Sequence, residues 1–143
     1  MVAVLFLDLD GFKMVNDTLG HDAGDFVLKE TAARLCSCVR EVDTVARVGG
    51  DEFWVLLTNM PDKKNIITIV EKLIKAVAAP YKFENNEINI GASIGVAVYP
   101  DHGVSPQELI NLADQAMYEI KRQGKNNYGF AGAVTSANFT DML

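Results

Sequence analysis

Three observations on this chain of 143 residues predict an α+β fold, with helices flanking a central antiparallel sheet. Short apolar runs with strand character alternate with longer segments whose apolar residues recur every three to four positions. Gly49-Gly50 and Asn85-Asn86 each stand between two strand-like runs, as tight turns of antiparallel hairpins do. Hydrophobic residues make up 49% of the sequence, enough for one core at this length without disulfides.

Val2 to Asp10 is apolar and then acidic, a buried strand whose end carries Asp8 and Asp10 on one face. Gly11-Phe12-Lys13 turns the chain, Met14 to Leu19 is a short helical piece, and Gly20-His21-Asp22 breaks it. A helix over about 23–40 follows, its inner face formed by Leu28, Ala32, Leu35 and Val39. Its Cys36 and Cys38 point in different directions and have no second Cys/His cluster, so they read as reduced packing residues and not a zinc site. Val42 to Val48 and Phe53 to Thr58 are strands about the glycine turn. The next helix, about 63–79, presents Ile66, Val70, Leu73 and Val77. Tyr81 to Glu84 and Glu87 to Tyr99 form an extra hairpin, with Gly91 and Gly95 read as bends or a bulge. Ser105, Pro106 and Glu108 open a helix that buries Leu109, Ala113, Ala116 and Ile120 and stops at Gly124. Asn127 to Phe130 is a last strand, and 131–143 reads as a loose tail.

This order folds as a ferredoxin-like, polymerase-palm-like sheet, with the third strand between the first two. The end of the first strand and the glycine turn then share one sheet edge, where Asp8 and Asp51 should meet. The net charge of −6 argues against a nucleic-acid partner. The apolar start is too short to span a membrane and lacks a basic flank, so a cytoplasmic segment is expected, free or as the cytoplasmic part of a membrane-bound protein. Two carboxylates and a backbone carbonyl suit Mg²⁺ or Mn²⁺, and the motif holds no His or Cys to favour zinc. Lys13 and the N–H groups of Gly11 and Phe12 are placed for phosphate, although a salt-bridged strand end is an equally common use of an Asp pair.

Leu7-Asp8-Leu9-Asp10-Gly11-Phe12-Lys13, Asn16 to Asp25 and Gly49-Gly50-Asp51-Glu52-Phe53 resemble, in order and spacing, the GGDEF diguanylate cyclase family. Ala92 to Ala97, Ala113 to Tyr118, Lys121 and Gly124-Lys125-Asn126 extend the resemblance over 1–130. It implies condensation of two GTP into cyclic di-GMP with release of two pyrophosphates, one GTP per domain of a homodimer. It implies metal ligands at Asp8, the Leu9 carbonyl and Asp51, and guanine contacts from Asn16 and Asp25, which by themselves read equally as helix caps. Lys13, Lys121 and Lys125 would hold phosphates, with Lys125 where the family often has Arg. Glu52 would deprotonate the 3′-hydroxyl or bind a second metal. Arg40-Glu41-Val42-Asp43 matches the family's R-x-x-D inhibitory site for cyclic di-GMP; an ordinary surface ion pair is the plain alternative. The family's helical lead-in is not present ahead of Val2, so the resemblance implies a domain of a longer protein with sensor or phosphodiesterase modules. A catalytically silent module that binds GTP or cyclic di-GMP and controls an attached partner is the second reading.

Overall fold

The computed structural model describes residues 1–132; most of the predicted tail lies outside them. The elements are β1 (Val2–Asp10), α1 (Phe12–Leu19), α2 (His21–Cys38), β2 (Thr44–Gly49), β3 (Glu52–Leu57), α3 (Lys63–Ala78), β4 (Tyr81–Phe83), β5 (Asn86–Ile88), β6 (Gly91–Tyr99), α4 (Pro106–Arg122) and β7 (Asn127–Phe130). Five strands form the main sheet in the order β2-β3-β1-β6-β7, and β4-β5 is a separate hairpin. The predicted placement of β3 between β1 and β2 is therefore found.

The sheet is mixed and not wholly antiparallel, because β7 runs parallel to β6. Their connection is α4, and a strand–helix–strand crossover returns the chain in the same direction. The second arm of the predicted hairpin also divides. β5 ends at Ile88, and β6 starts afresh at Gly91 as a partner of β1. α1 begins at Phe12, two residues earlier than expected, because Gly11 takes φ +87° and turns the chain in a single residue. The break before α2 shrinks to Gly20.

Strand alternation divides the core. Ala3, Leu5, Leu7 and Leu9 of β1 face α2 and α3, within a cluster that holds the whole predicted α3 stripe. On α2 the stripe is shifted: Val27, Thr31, Leu35 and Cys38 are buried, while Leu28 and Ala32 are half-buried and Cys36 is exposed; half-buried Val39 lies just past the helix end, in extended backbone. Thr31 belongs inside because its hydroxyl meets Tyr81 Oη at 3.1 Å. Arg34, one turn along, lies over the Tyr81 ring at 3.7 Å and donates to the Ala76, Ala79 and Pro80 carbonyls at the end of α3. These carbonyls have no partner within the helix, so Arg34 acts as its cap. Arg34→Ala is expected to cost about 2 kcal/mol, read as a lower midpoint in urea unfolding with an unchanged slope.

The other face of β1, from Val4 and Phe6 to Asp8 and Asp10, looks toward α4. Phe6 packs with Leu109, Ala113 and Met117. Opposite them on β6 stand Gly91, Ser93, Gly95 and Ala97, each small. Gly91 and Gly95 are therefore sites of close approach, not bends, and the β1–β6 register runs unbroken through both. A Cβ at Gly95 would overlap the Ala113 carbonyl oxygen and the Met117 backbone nitrogen; one at Gly91 would press on the Asn126 side chain. Beyond α4's cover, Val4, Ala46, Trp54 and Leu56 form an apolar groove with Pro106 and Ile110.

Candidate active site

α4 and β1 run in step. Four helix residues rise roughly 6 Å and two strand residues about 6.6 Å, so Leu109-Ala113-Met117-Lys121 tracks Val4-Phe6-Asp8-Asp10. Apolar side chains meet along most of this line, and at its end an ammonium meets two carboxylates. Lys121 Nζ lies 3.1 Å from Asp8 Oδ1 and 3.1 Å from Asp10 Oδ1.

The glycine turn closes on the same edge. Gly50 takes φ +48°, which favours glycine, and the strand bulges between Arg47 and Gly49. Arg47 Nε donates to the Gly50 carbonyl at 2.9 Å and braces the turn. The Leu9 N–H donates to the Asp51 carbonyl at 3.1 Å, and Asp8 pairs across the strands with Glu52. Asp8, Leu9, Asp51 and Glu52 thus lie at one margin, the edge where the topology predicts that Asp8 and Asp51 meet.

Burial pushes the Asp8 carboxyl up to about 6 from an ordinary 3.8; the Asp51 and Glu52 charges add to the rise, and Lys121 opposes it. For Lys121, burial lowers the ammonium, but hydrogen bonds to Asp10 and Asp8 outweigh it and raise its pKa. Asp10 is the most enclosed of these groups. Besides Lys121, it accepts from Ser93 Oγ at 2.9 and 3.0 Å and from the Asn126 N–H at 2.9 Å. Asp10, Ser93 and Arg47 were not singled out from the sequence as site residues, although Asp10's place two residues after Asp8 was a usable signal.

The remaining predicted residues surround this margin. Gly11 caps α1 without a side chain, so the first N–H groups of α1 have no side-chain partner; Lys13 is exposed on its first turn. Asn16 lies mid-helix with its amide against Gly24, the neighbour of Asp25, and a side chain at 24 would displace it. Neither Asn16 nor Asp25 caps a helix. Lys125 is exposed in a left-handed turn with Gly124 and Asn126, tied to Asp10 through the Asn126 N–H.

Arg40 and Asp43 stand apart from this edge and bind each other. Asp43 accepts from Arg40 Nε at 3.0 Å, Arg40 Nη2 at 2.9 Å, the Arg40 N–H at 2.8 Å and the Thr58 N–H at 3.2 Å. Burial would raise the Asp43 carboxyl, but these bonds hold it below the usual range. The Asp43 side chain is 0% exposed and that of Arg40 43%, so of the pair only Arg40 faces outward, its Nη2 also donating to the Thr58 carbonyl. Arg40 also borders a pocket lined by Met60, Pro61, Asn65, Thr68 and Ile69.

The sequence matches a family model described as "Diguanylate cyclase, GGDEF domain" over residues 1–127. The chain belongs to the GGDEF domain family. MucR of Pseudomonas aeruginosa, a bifunctional diguanylate cyclase/cyclic di-GMP phosphodiesterase, is 48% identical over 141 residues, or 99% of this chain and 20% of MucR. This chain thus spans about a fifth of that relative. The GGDEF domain of TpbB from P. aeruginosa superposes with a TM-score of 0.89 at 42% identity, over 91% of this chain and 76% of that one. The GGDEF domain of DgcB from Caulobacter crescentus, solved with c-di-GMP, gives 0.84 at 30% identity, over 92% and 78%.

In this GGDEF domain the signature glycines and acids occupy the turn beside β1. The donors there are carboxylates and a carbonyl, hard oxygens that fit Mg²⁺ or Mn²⁺. Among the described residues no group of three or more His, Cys, Asp or Glu side chains is gathered tightly enough to enclose a metal by itself. No helix among the described residues is long and apolar enough to cross a membrane.

Proposed function

We propose that this domain condenses two GTP molecules into cyclic di-GMP and releases two pyrophosphates, with one GTP on each of two facing copies. The observation that carries this reading is the Leu9–Asp51 backbone bond, which brings Asp8, the Leu9 carbonyl and Asp51 to one sheet margin. These three would hold the divalent cation. Bound there, it would draw charge from the phosphates and acidify an attacking hydroxyl. Lys13 and the N–H groups of Gly11 and Phe12, where the chain enters α1, hold the outer phosphates. Asn16 and Asp25 read the guanine edge, since a carboxylate accepts from guanine N1–H and N2–H, which adenine does not offer. Lys121 and Lys125 hold phosphate from the opposite side. Glu52 serves the 3′-hydroxyl as base, or would hold a second metal.

Incubation with GTP and Mg²⁺ should yield cyclic di-GMP and pyrophosphate by mass spectrometry. No product from folded protein that is dimeric at high concentration would overturn the reading. The site also carries a pH dependence. The metal needs ionised Asp8, and below about pH 6 a proton competes for it. Mn²⁺ affinity, measured by calorimetry without nucleotide, should be flat above about pH 7 and fall up to about tenfold per unit below 6. The linkage for folding has the opposite sign. The folded state holds the Asp8 proton more tightly than the unfolded chain, so this contribution to stability is full below 3.8 and lost as pH rises through about 6.

Arg40 and Asp43 form the inhibitory site in this account. The exposed guanidinium meets a phosphate or guanine of cyclic di-GMP, and buried Asp43 orients it. Arg40→Ala should relieve product inhibition while leaving the initial rate within about twofold, measured in progress curves with added cyclic di-GMP. The likeness to MucR, which pairs cyclase and phosphodiesterase in one protein, supports an attached phosphodiesterase, and the second reading is a silent module that controls it. Calorimetry separates the two, because nucleotide binding without pyrophosphate release belongs to the silent module.

A further inference from the structure

Lys121 is shared by two carboxylates of unequal standing. Both Asp10 oxygens are engaged by Ser93, Asn126 and Lys121 at 2.9–3.1 Å, and 9% of this side chain is exposed. Asp8 is 17% exposed, and Lys121 reaches it from the rim. We propose that Asp10 is a positioning residue that keeps Lys121 at the sheet margin in both states of the site: against Asp8 when the site is empty, and against the triphosphate once a cation has taken Asp8. This rests on the reading of the margin as a metal–nucleotide site.

An ammonium has three donors on a flexible stem, so Lys121 can keep Asp10 and exchange Asp8 for a phosphate oxygen by a small pivot. A divalent cation and an ammonium on the same carboxylate oxygen repel each other. Without nucleotide, Lys121 therefore competes with the metal. With nucleotide, the ammonium displaced from Asp8 gains a phosphate partner. Metal and nucleotide are then coupled through Lys121, and the coupling acts equally in both directions. Asp10 contributes by holding the lysine, and the Asn126 bond ties the Lys125 turn to the same anchor.

The test is titration of the whole chain with Mn²⁺ alone, and with a non-hydrolysable GTP analogue, standing for GTP, in the presence of Mn²⁺. The proteins are wild type, Lys121→Met, Asp10→Asn and the double variant. Lys121→Met should bind Mn²⁺ alone about three- to tenfold tighter and bind GTP more weakly. Lys125→Met, which removes an equal charge that is not on these carboxylates, should change Mn²⁺ affinity by less than about twofold. Asp10→Asn should weaken GTP binding in the wild-type background and do little more once Lys121 is gone. Unchanged or weaker Mn²⁺ binding by Lys121→Met overturns the proposal, as do additive effects of the two substitutions on GTP. Should Asp10→Asn fail to fold, Lys121→Met at the quarter-exposed end of α4 still tests the exchange, and the proposal falls if this variant does not bind Mn²⁺ more tightly. Wild-type protein that binds neither ligand overturns the functional reading itself; binding of both without the Lys121 effect overturns only the positioning role.

Discussion

Asp51→Ala is expected to lower cyclic di-GMP formation on the order of 10³-fold or more with the fold intact. Asp51 stands in the turn at the sheet's end and is half-buried, so the substitution empties no core position. Its carbonyl still accepts from the Leu9 N–H, which keeps the turn in register with β1. What disappears is one of the two carboxylates proposed to hold the cation. Asp8 should lose one of the neighbouring charges that raise its pKa, and its titration should move down. The checks are product analysis after GTP incubation and a thermal melt. A folded Asp51→Ala protein that turns over within about tenfold of wild type would remove Asp51 from the metal site.

Gly95→Ala carries the largest expected effect on stability. Gly95 lies at the centre of β6 beside Phe6, where α4 crosses the sheet in backbone contact. The clash falls on the Ala113 and Met117 backbone, which cannot rotate away as a side chain would. α4 must lift as a body, pulling Leu109, Ala113 and Met117 off Phe6 and opening space between helix and sheet. A cost of about 3 kcal/mol or more is expected, a melting temperature lower by roughly 10 °C. Because Lys121 sits on the same helix, any folded Gly95→Ala protein should also bind GTP more weakly. An unchanged melting temperature would contradict the packing described for α4.

Some of this was legible in the sequence because one physical signal decided it. The α3 stripe Ile66, Val70, Leu73 and Val77 is wholly buried, since charged residues fill the opposite face and leave one choice. Ser105 caps α4 as predicted, accepting from the Glu108 N–H, although Glu108 returns to the Val104 N–H and not to that of Ser105. On α2, by contrast, apolar residues lie on adjacent stripes, and the buried set includes a threonine, which hydrophobic periodicity does not select. The parallel pairing of β7 was implied by the α4 crossover but has no mark in the four residues of the strand itself. The small face of β6 is ambiguous by type, because glycine serves bends and close approaches alike. At the candidate site, the meeting of Asp8 with the glycine turn followed from topology alone. Asp10 was harder to read, because its role depends on Ser93, Lys121 and Asn126, all distant in sequence and brought together only by folding.

The most direct trial of the metal margin is a crystal grown with Mn²⁺ and a non-hydrolysable GTP analogue, examined for anomalous scattering. A manganese peak is expected between the carboxylates of Asp8 and Asp51, within reach of the Leu9 carbonyl and bound to phosphate oxygens. A peak elsewhere, or a nucleotide seated away from this margin, would contradict that placement.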